Sequence, residues 1–249
     1  MALVEPVPDA PAAVADLGDE RALVVADYHA GIEDGLRYEK GVDVDSRAEE
    51  RRDRLRSLVV ETDPDRIVFL GDLMHSIGDP GGAERGEVEV LIESLPGDLP
   101  VTLVKGNHDG DVESWVRDVS VTPGHGVRLG RVGFAHGHTW PSADVLSADV
   151  VCVGHEHPCV RLEDEVGGTR VEQVWLRGPL KREAFADSHS DLDWNDPELV
   201  VFPAFNGLSG GTWVNVSGQQ FLSPFLPAGL ADGQAYLLDG TRLGAYRTV

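Results

Sequence analysis

Five short stretches of this chain set metal-binding or proton-carrying side chains directly after an apolar run. They are Asp27-Tyr28-His29, Gly71-Asp72, Gly106-Asn107-His108-Asp109, His136-Gly137-His138 and Gly154-His155-Glu156-His157. Taken singly, each has an ordinary reading: Asp27 or Asp72 could cap a helix, His29 could be a surface histidine, and Asn, Asp and Gly are common turn formers. Turn chemistry does not explain five in succession, each closing a run such as ALVV or VTLV. Carboxylates, a carboxamide and many imidazoles are ligands of intermediate hardness, suited to Mn, Fe, Zn or Co. They are also more numerous than one ion needs. Two ions about 3.5–4 Å apart can share a carboxylate and a water, lower that water's pKa and clamp both sides of an in-line phosphoryl displacement.

The elements that carry these residues follow from hydrophobic period. Residues 22–27, 66–72 and 101–104 are short, nearly continuous apolar runs, as in strands covered on both faces. Between them, Ser46-Arg47-Ala48-Glu49 has the form of a capping box, and Ala48, Leu55, Leu58 and Val59 recur at helical spacing to about Glu61. The arginines of that helix are expected on a solvated face. Val88, Leu91, Ile92 and Leu95 mark a second amphipathic helix that stops at Pro96-Gly97. Strand, helix, strand, helix, strand builds a parallel sheet, whose functional residues gather at the carboxyl ends of its strands. After residue 120 the pattern becomes strands joined by Gly-containing turns, with hairpins at Gly167-Gly168 and Asp239-Gly240, and this half reads as antiparallel.

Composition narrows the class. The chain has 249 residues, 41% hydrophobic and 26% charged, as in a globular protein with one substantial core. No apolar run approaches the roughly 20 residues of a membrane span, and the N-terminus lacks a secretion signal, so a cytoplasmic protein without a membrane partner is expected. Acidic side chains number 43 against 21 basic ones, a net charge of −22 scattered along the whole chain. Scattered acidity reads as a halophilic surface, with self-repulsion screened by concentrated salt. Cys152 and Cys159 flank GHEHP and could be read as part of a small zinc site, but Cys152 alternates within VVCVG and is more simply a core residue.

The order D-x-H, GD, GNHD, H and GHxH, spanning residues 22 to 158, resembles the calcineurin-like metallophosphoesterase superfamily. The resemblance implies an α/β fold, a four-layer αββα sandwich of two mixed β-sheets flanked by helices, known as the metallo-dependent phosphatase fold. One domain over residues 1–249 is expected, with the core motifs in 22–158 and the strands of 159–249 completing the second sheet. By the same resemblance, Asp27, His29 and His157 hold one divalent ion, Asn107, His136 and His155 hold the other, and Asp72 bridges them. Manganese is the first choice, with Fe, Zn or Co as alternatives. His108 would stabilise the phosphate and protonate the leaving oxygen, with Asp109 orienting its ring.

DYHAGIE, GDLMH, GNHDG, HGH, GHEHP and PAFNGLSGG together look like the archaeal group related to the SbcD and Mre11 nucleases. They also resemble phosphoesterases associated with bacterial DNA ligases. His75 and His138 belong to that subgroup pattern, and Asn206 could reach the pocket. The activity implied is hydrolysis of a phosphodiester in a nucleotide or nucleic acid, with metal-bound hydroxide as nucleophile. Phosphomonoesterase and cyclic-nucleotide phosphodiesterase activities stay open, because pocket shape separates them and the ligand set does not. A non-catalytic scaffold of the same fold is a further alternative, opposed by the presence of every metal position together with His108. Because the sequence ends in a hairpin pattern, 233–249, the capping domain and ATPase-binding tail of Mre11-type nucleases are not expected here. Association with DNA-repair or helicase proteins is an expectation of the subgroup likeness alone.

Overall fold

The computed structural model describes residues 2–78, 81–164, 166–189, 191–230 and 232–249. Its first sheet holds six strands in consecutive order: β1 (Val4–Pro6), β2 (Ala12–Asp16), β3 (Arg21–Val25), β4 (Arg66–Phe69), β5 (Val101–Val104) and β6 (Val119–Thr122). The first three form an antiparallel meander, and β3 to β6 run parallel. Parallel neighbours need crossovers. Here α1 (Ile32–Lys40) and α2 (Ala48–Thr62) lie between β3 and β4, and α3 (Gly82–Glu93) lies between β4 and β5.

The second sheet holds β7 (Val127–Leu129), β8 (Val132–Ala135), β9 (Val150–Val153), β10 (Cys159–Glu163), β11 (Thr169–Pro179), β12 (Glu198–Val201), β13 (Gln234–Leu237) and β14 (Arg242–Ala245). Its order is β14-β13-β11-β12-β9-β8-β7, with β10 paired to β11. The hairpins expected at Gly167-Gly168 and Asp239-Gly240 are present as β10–β11 and β13–β14.

Alternation along the strands explains the layering. Leu23, Val25, Ile67, Phe69 and Leu103 face Leu55, Leu58, Val88 and Leu91 of the helices. Their neighbours Ala22, Val24, Val68, Leu70 and Val104 meet Phe134, Val150, Cys152, Trp175, Val200 and Phe202 of the other sheet. Residues on that sheet's far side, among them Val151, Val153, Val174, Leu176 and Leu199, pack with Val145, Leu146, Phe185, Phe225 and Leu230. Both sheets are thus buried on both faces, which is why their strands read as unbroken apolar runs. The outermost layer is thin: α4 (Ala143–Leu146) and short 3-10 turns cover it.

The structure departs from the sequence reading at several points. The carboxyl half is not uniformly antiparallel, because β8, β9 and β12 run parallel, joined by α4 and by the long excursion through β10 and β11. β1, β2 and α1 are not expected from the sequence: VEP and AAVAD are short and carry no regular alternation, and the apolar side of IEDGLRYEK is carried mainly by Ile32 and Leu36 among charged residues. α2 starts at Ala48 behind Arg47, and Ser46 only accepts the Ala48 amide at 3.3 Å, so no capping box forms. Arg51 is not on a solvated face. It is buried between Glu33 at 2.5 Å and Glu87 at 2.7 Å, joining all three long helices.

Candidate metal centre

All five polar stretches lie at the carboxyl ends of β3, β4, β5, β8 and β9. Asp27, His29, Asp72, His155 and His157 adopt left-handed backbone, with φ of 56°, 49°, 48°, 68° and 44°. Side chains outside glycine take this conformation at a cost on the order of 1–3 kcal/mol, and it concentrates where function requires it. The motif glycines give the space. A Cβ on Gly106 would stand 2.1 Å from Asp72 Oδ1, and one on Gly71 would stand 2.4 Å from His136 Nδ1.

Three groups of side chains converge: Asp27, His29 and His157; His29, Asp72 and His108; and Asp72, His136 and His155. Within each, the ligand atoms lie within 4.8 Å of one another. Asn107 joins the last, its Oδ1 3.2 Å from His136 Nε2. His29 links the first two groups and Asp72 the last two, so every expected ligand falls in one continuous cluster. Asp27 also accepts the His155 amide at 3.0 Å, tying the two sheets together at the centre.

The ring nitrogens show what the cluster can hold. A carbonyl can only accept, so the nitrogen beside it carries the hydrogen. His29 Nδ1 donates to the Met74 carbonyl at 3.3 Å, His136 Nδ1 to that of Leu70 at 2.6 Å and His157 Nδ1 to that of Gly210 at 2.8 Å. Each ring therefore turns Nε2 inward, the arrangement by which outer partners orient metal-binding histidines. His29 Nε2 and His157 Nε2 stand 3.3 Å apart, and His157 Nε2 is 3.2 Å from Asp27 Oδ1. His136 Nε2 is 3.4 Å from Asp72 Oδ2. Inward imidazole lone pairs among buried carboxylates make a cavity for positive charge, and the donor set fits divalent ions.

Electrostatics agree. Burial opposes ionisation of Asp27, but His157 and His136 hold its carboxyl below the usual range. Burial also opposes ionisation of Asp72, and His136, His108 and His29 outweigh it by far. Burial and His157 push His29 down to about 4. Burial and His136 do the same to His155, again to about 4. Burial works against the charged form of His136, yet Asp72 and Asp27 raise it to about 9.

The remaining expected residues sort differently. His108 Nε2 lies 3.8 Å from Asp72 Oδ2, and its backbone N–H donates to Asp72 Oδ1 at 2.9 Å. Its Nδ1 donates to the His75 carbonyl, so the ring is oriented by that carbonyl and not by Asp109. Asp109 is fully buried and accepts the amides of Gly106 and Leu73, each at 2.7 Å, which locks the GNHD loop to the GD loop. Burial, then the charge of Asp72, raises its carboxyl to about 6. The His75 ring stacks on His108 at 6.0 Å and meets His29 edge-on at 5.4 Å. His138 lies 5.2 Å from His136 by ring centroid. Asn206 is buried beneath the site, where its Nδ2 donates to the carbonyls of Tyr28 and His29 at 3.1 Å each. Cys152 and Cys159 are buried free thiols, and neither belongs to a metal-competent group among the described residues.

With fold and site in view, comparison with known proteins defines the class. The family model for calcineurin-like phosphoesterases matches residues 20–146, just over half of the chain. The chain belongs to that family of phosphoesterases. The match does not single out the SbcD/Mre11-related group. Among solved structures, nuclease MPE from Pseudomonas putida is similar in fold, with a TM-score of 0.59 and 22% identity over 96% of this chain and 100% of that one. Yfce, a phosphoesterase from E. coli, gives a TM-score of 0.43 and 15% identity over 90% of this chain and 96% of that one. No curated protein matches. No helix among the described residues is long and apolar enough to cross a membrane.

Proposed function

We propose that the chain is a two-metal phosphodiesterase acting on nucleotide or nucleic-acid esters. The observation that carries this reading is the continuous cluster in which His29 and Asp72 join three metal-competent groups. Asp27, His29 and His157 would hold one divalent ion and Asn107, His136 and His155 the other, with Asp72 facing both. Bound there, the ions would supply Lewis acidity toward a phosphoryl oxygen and lower the pKa of a water.

The chain's own residues do the rest. His108 holds its ring through the His75 carbonyl and keeps Nε2 toward the cluster, the atom from which a proton can pass to the leaving ester oxygen. Asp109 acts through the backbone, fixing the loops that carry Asp72, Asn107 and His108 relative to one another.

Where salt does not screen the surface, a nucleotide-sized diester is favoured over a long polyanion. Lys105, at the start of the GNHD loop, is paired with Glu113 at 2.9 Å. A chain of net charge −22 repels extended nucleic acid unless salt screens the repulsion.

The test compares bis-p-nitrophenyl phosphate with p-nitrophenyl phosphate, with added Mn at high salt, for wild type and His108→Asn. Diester turnover that falls by about 10²–10⁴-fold in the variant, with metal retained, supports the reading. Faster monoester turnover moves the assignment to a phosphomonoesterase. No turnover of either ester by metal-loaded protein sinks both.

A further inference from the structure

Between the two histidines of GHEHP sits a carboxylate that neither the ligand set nor the proton path uses. Glu156 is fully buried. His155 and His157 on either side belong to different metal-competent groups, and both adopt left-handed backbone. Such a turn persists only where its surroundings over-determine it.

On the side toward the centre, the His155 amide is fastened to Asp27 Oδ2 at 3.0 Å. Away from it, Glu156 Oε1 accepts the amides of Leu222 at 2.9 Å and Ser223 at 2.6 Å, and Oε2 accepts the Thr212 hydroxyl at 2.9 Å. The backbone repeats the connection, with the Thr212 amide donating to the Glu156 carbonyl at 3.1 Å. Gly211 packs so closely that a Cβ there would stand 2.2 Å from the His157 carbonyl oxygen, and the Gly210 carbonyl takes the Nδ1 hydrogen of His157. One carboxylate thus gathers two separate stretches, around Thr212 and around Leu222-Ser223, behind the turn that bears both imidazoles.

We infer that Glu156 is a positioning residue that sets the spacing of His155 and His157, and through it the spacing of the two metal positions. The inference rests on the two-metal reading above. A carboxylate is suited to the task because it accepts three hydrogen bonds at once and donates none. Alanine leaves those donors buried without a partner and frees the turn. Glutamine keeps Oε1 for the Leu222 and Ser223 amides, while Thr212 can reverse its hydroxyl to accept from the new amide.

The experiment titrates Mn into metal-free wild type, Glu156→Ala, Glu156→Asp and Glu156→Gln by calorimetry, with thermal unfolding of the metal-free proteins alongside. Wild type is expected to bind two ions. Glu156→Ala should bind at least one of them tenfold or more weakly, Glu156→Asp, one methylene too short, fivefold or more weakly, and Glu156→Gln within threefold of wild type. If alanine prevents folding, the aspartate variant carries the test. Folded alanine or aspartate variants that bind both ions with wild-type affinity, whatever their melting temperatures, would overturn the inference. Wild type that binds no pair of ions would instead remove the two-metal reading itself.

Discussion

The Nε2 atoms of His29 and His157 face each other at 3.3 Å, although 128 residues of sequence separate them. Both rings have committed their Nδ1 hydrogens to backbone carbonyls, so in the neutral metal-free protein two lone pairs point at one another. Only a proton or a cation between them removes the repulsion. On the two-metal reading, the metal-free form is expected to hold a proton where an ion would sit.

That competition gives metal binding a pH dependence. His136 is raised to about 9 in the metal-free fold, so below that pH its inward Nε2 carries a proton that an ion must displace. Apparent affinity should rise with pH from 7 toward 9, by up to about tenfold per unit for one displaced proton. Calorimetry in two buffers of different ionisation enthalpy counts the proton released. Affinity that is flat across this window would contradict the assignment of His136.

Asp72 joins two of the three groups, and its carboxyl lies far below the usual range. Asp72 belongs to the third group and shares the second with His29 of the first, so on the two-metal reading Asp72→Asn keeps the shape and removes a charge that both positions would share. Loss of both ions is expected, with activity falling by three orders of magnitude or more. Elemental analysis of purified protein decides it, and a variant that retains its metal would refute the shared role.

A buried Arg51 between Glu33 and Glu87 holds α1, α2 and α3 together, and Glu87 also accepts the Gly31 amide at 2.8 Å, two residues from His29. Arg51→Met leaves two buried carboxylates without their cation, a loss of about 3–5 kcal/mol. Urea unfolding at high salt measures it. A change below about 1 kcal/mol would show that water or the second carboxylate's proton compensates.

The acidic surface, at net charge −22, predicts that dilution of salt loosens the fold. Circular dichroism and diester turnover, followed as ionic strength falls from molar to about 10 mM, should decline together. Full helical signal and activity in dilute buffer would exclude a salt-adapted surface.

Much of the centre was legible because each expected ligand ends an apolar strand, and strand ends of parallel sheets share an edge. That rule places Asp27, Asp72, Asn107 and His136 at one edge, while their assignment to particular ions came from the family resemblance. The role of Asp109 was not legible, since a carboxylate beside a histidine in sequence gives no sign that it turns away to accept amides from Gly106 and Leu73. Arg51 was misread for a related reason: a polar helix face looks solvated until the acids of two other helices are known to meet it. The parallel pairing of β8, β9 and β12 was hidden because β12 follows β9 only after 44 intervening residues, including a long hairpin. Glu156 had the right company but no sequence signal for the loops it holds.

The gathering of Thr212, Leu222 and Ser223 behind Glu156 has a consequence for synthesis. Asp27, His29, Asp72, Asn107 and His136 leave the ribosome well before His155 and His157, and the chain that braces those two comes later still. A nascent chain ending near residue 146 thus offers no complete first or third group. On the two-metal reading, the metal cavity would close only after Thr212, Leu222 and Ser223 have emerged, so ion uptake would report on a chain folded well past the last ligand.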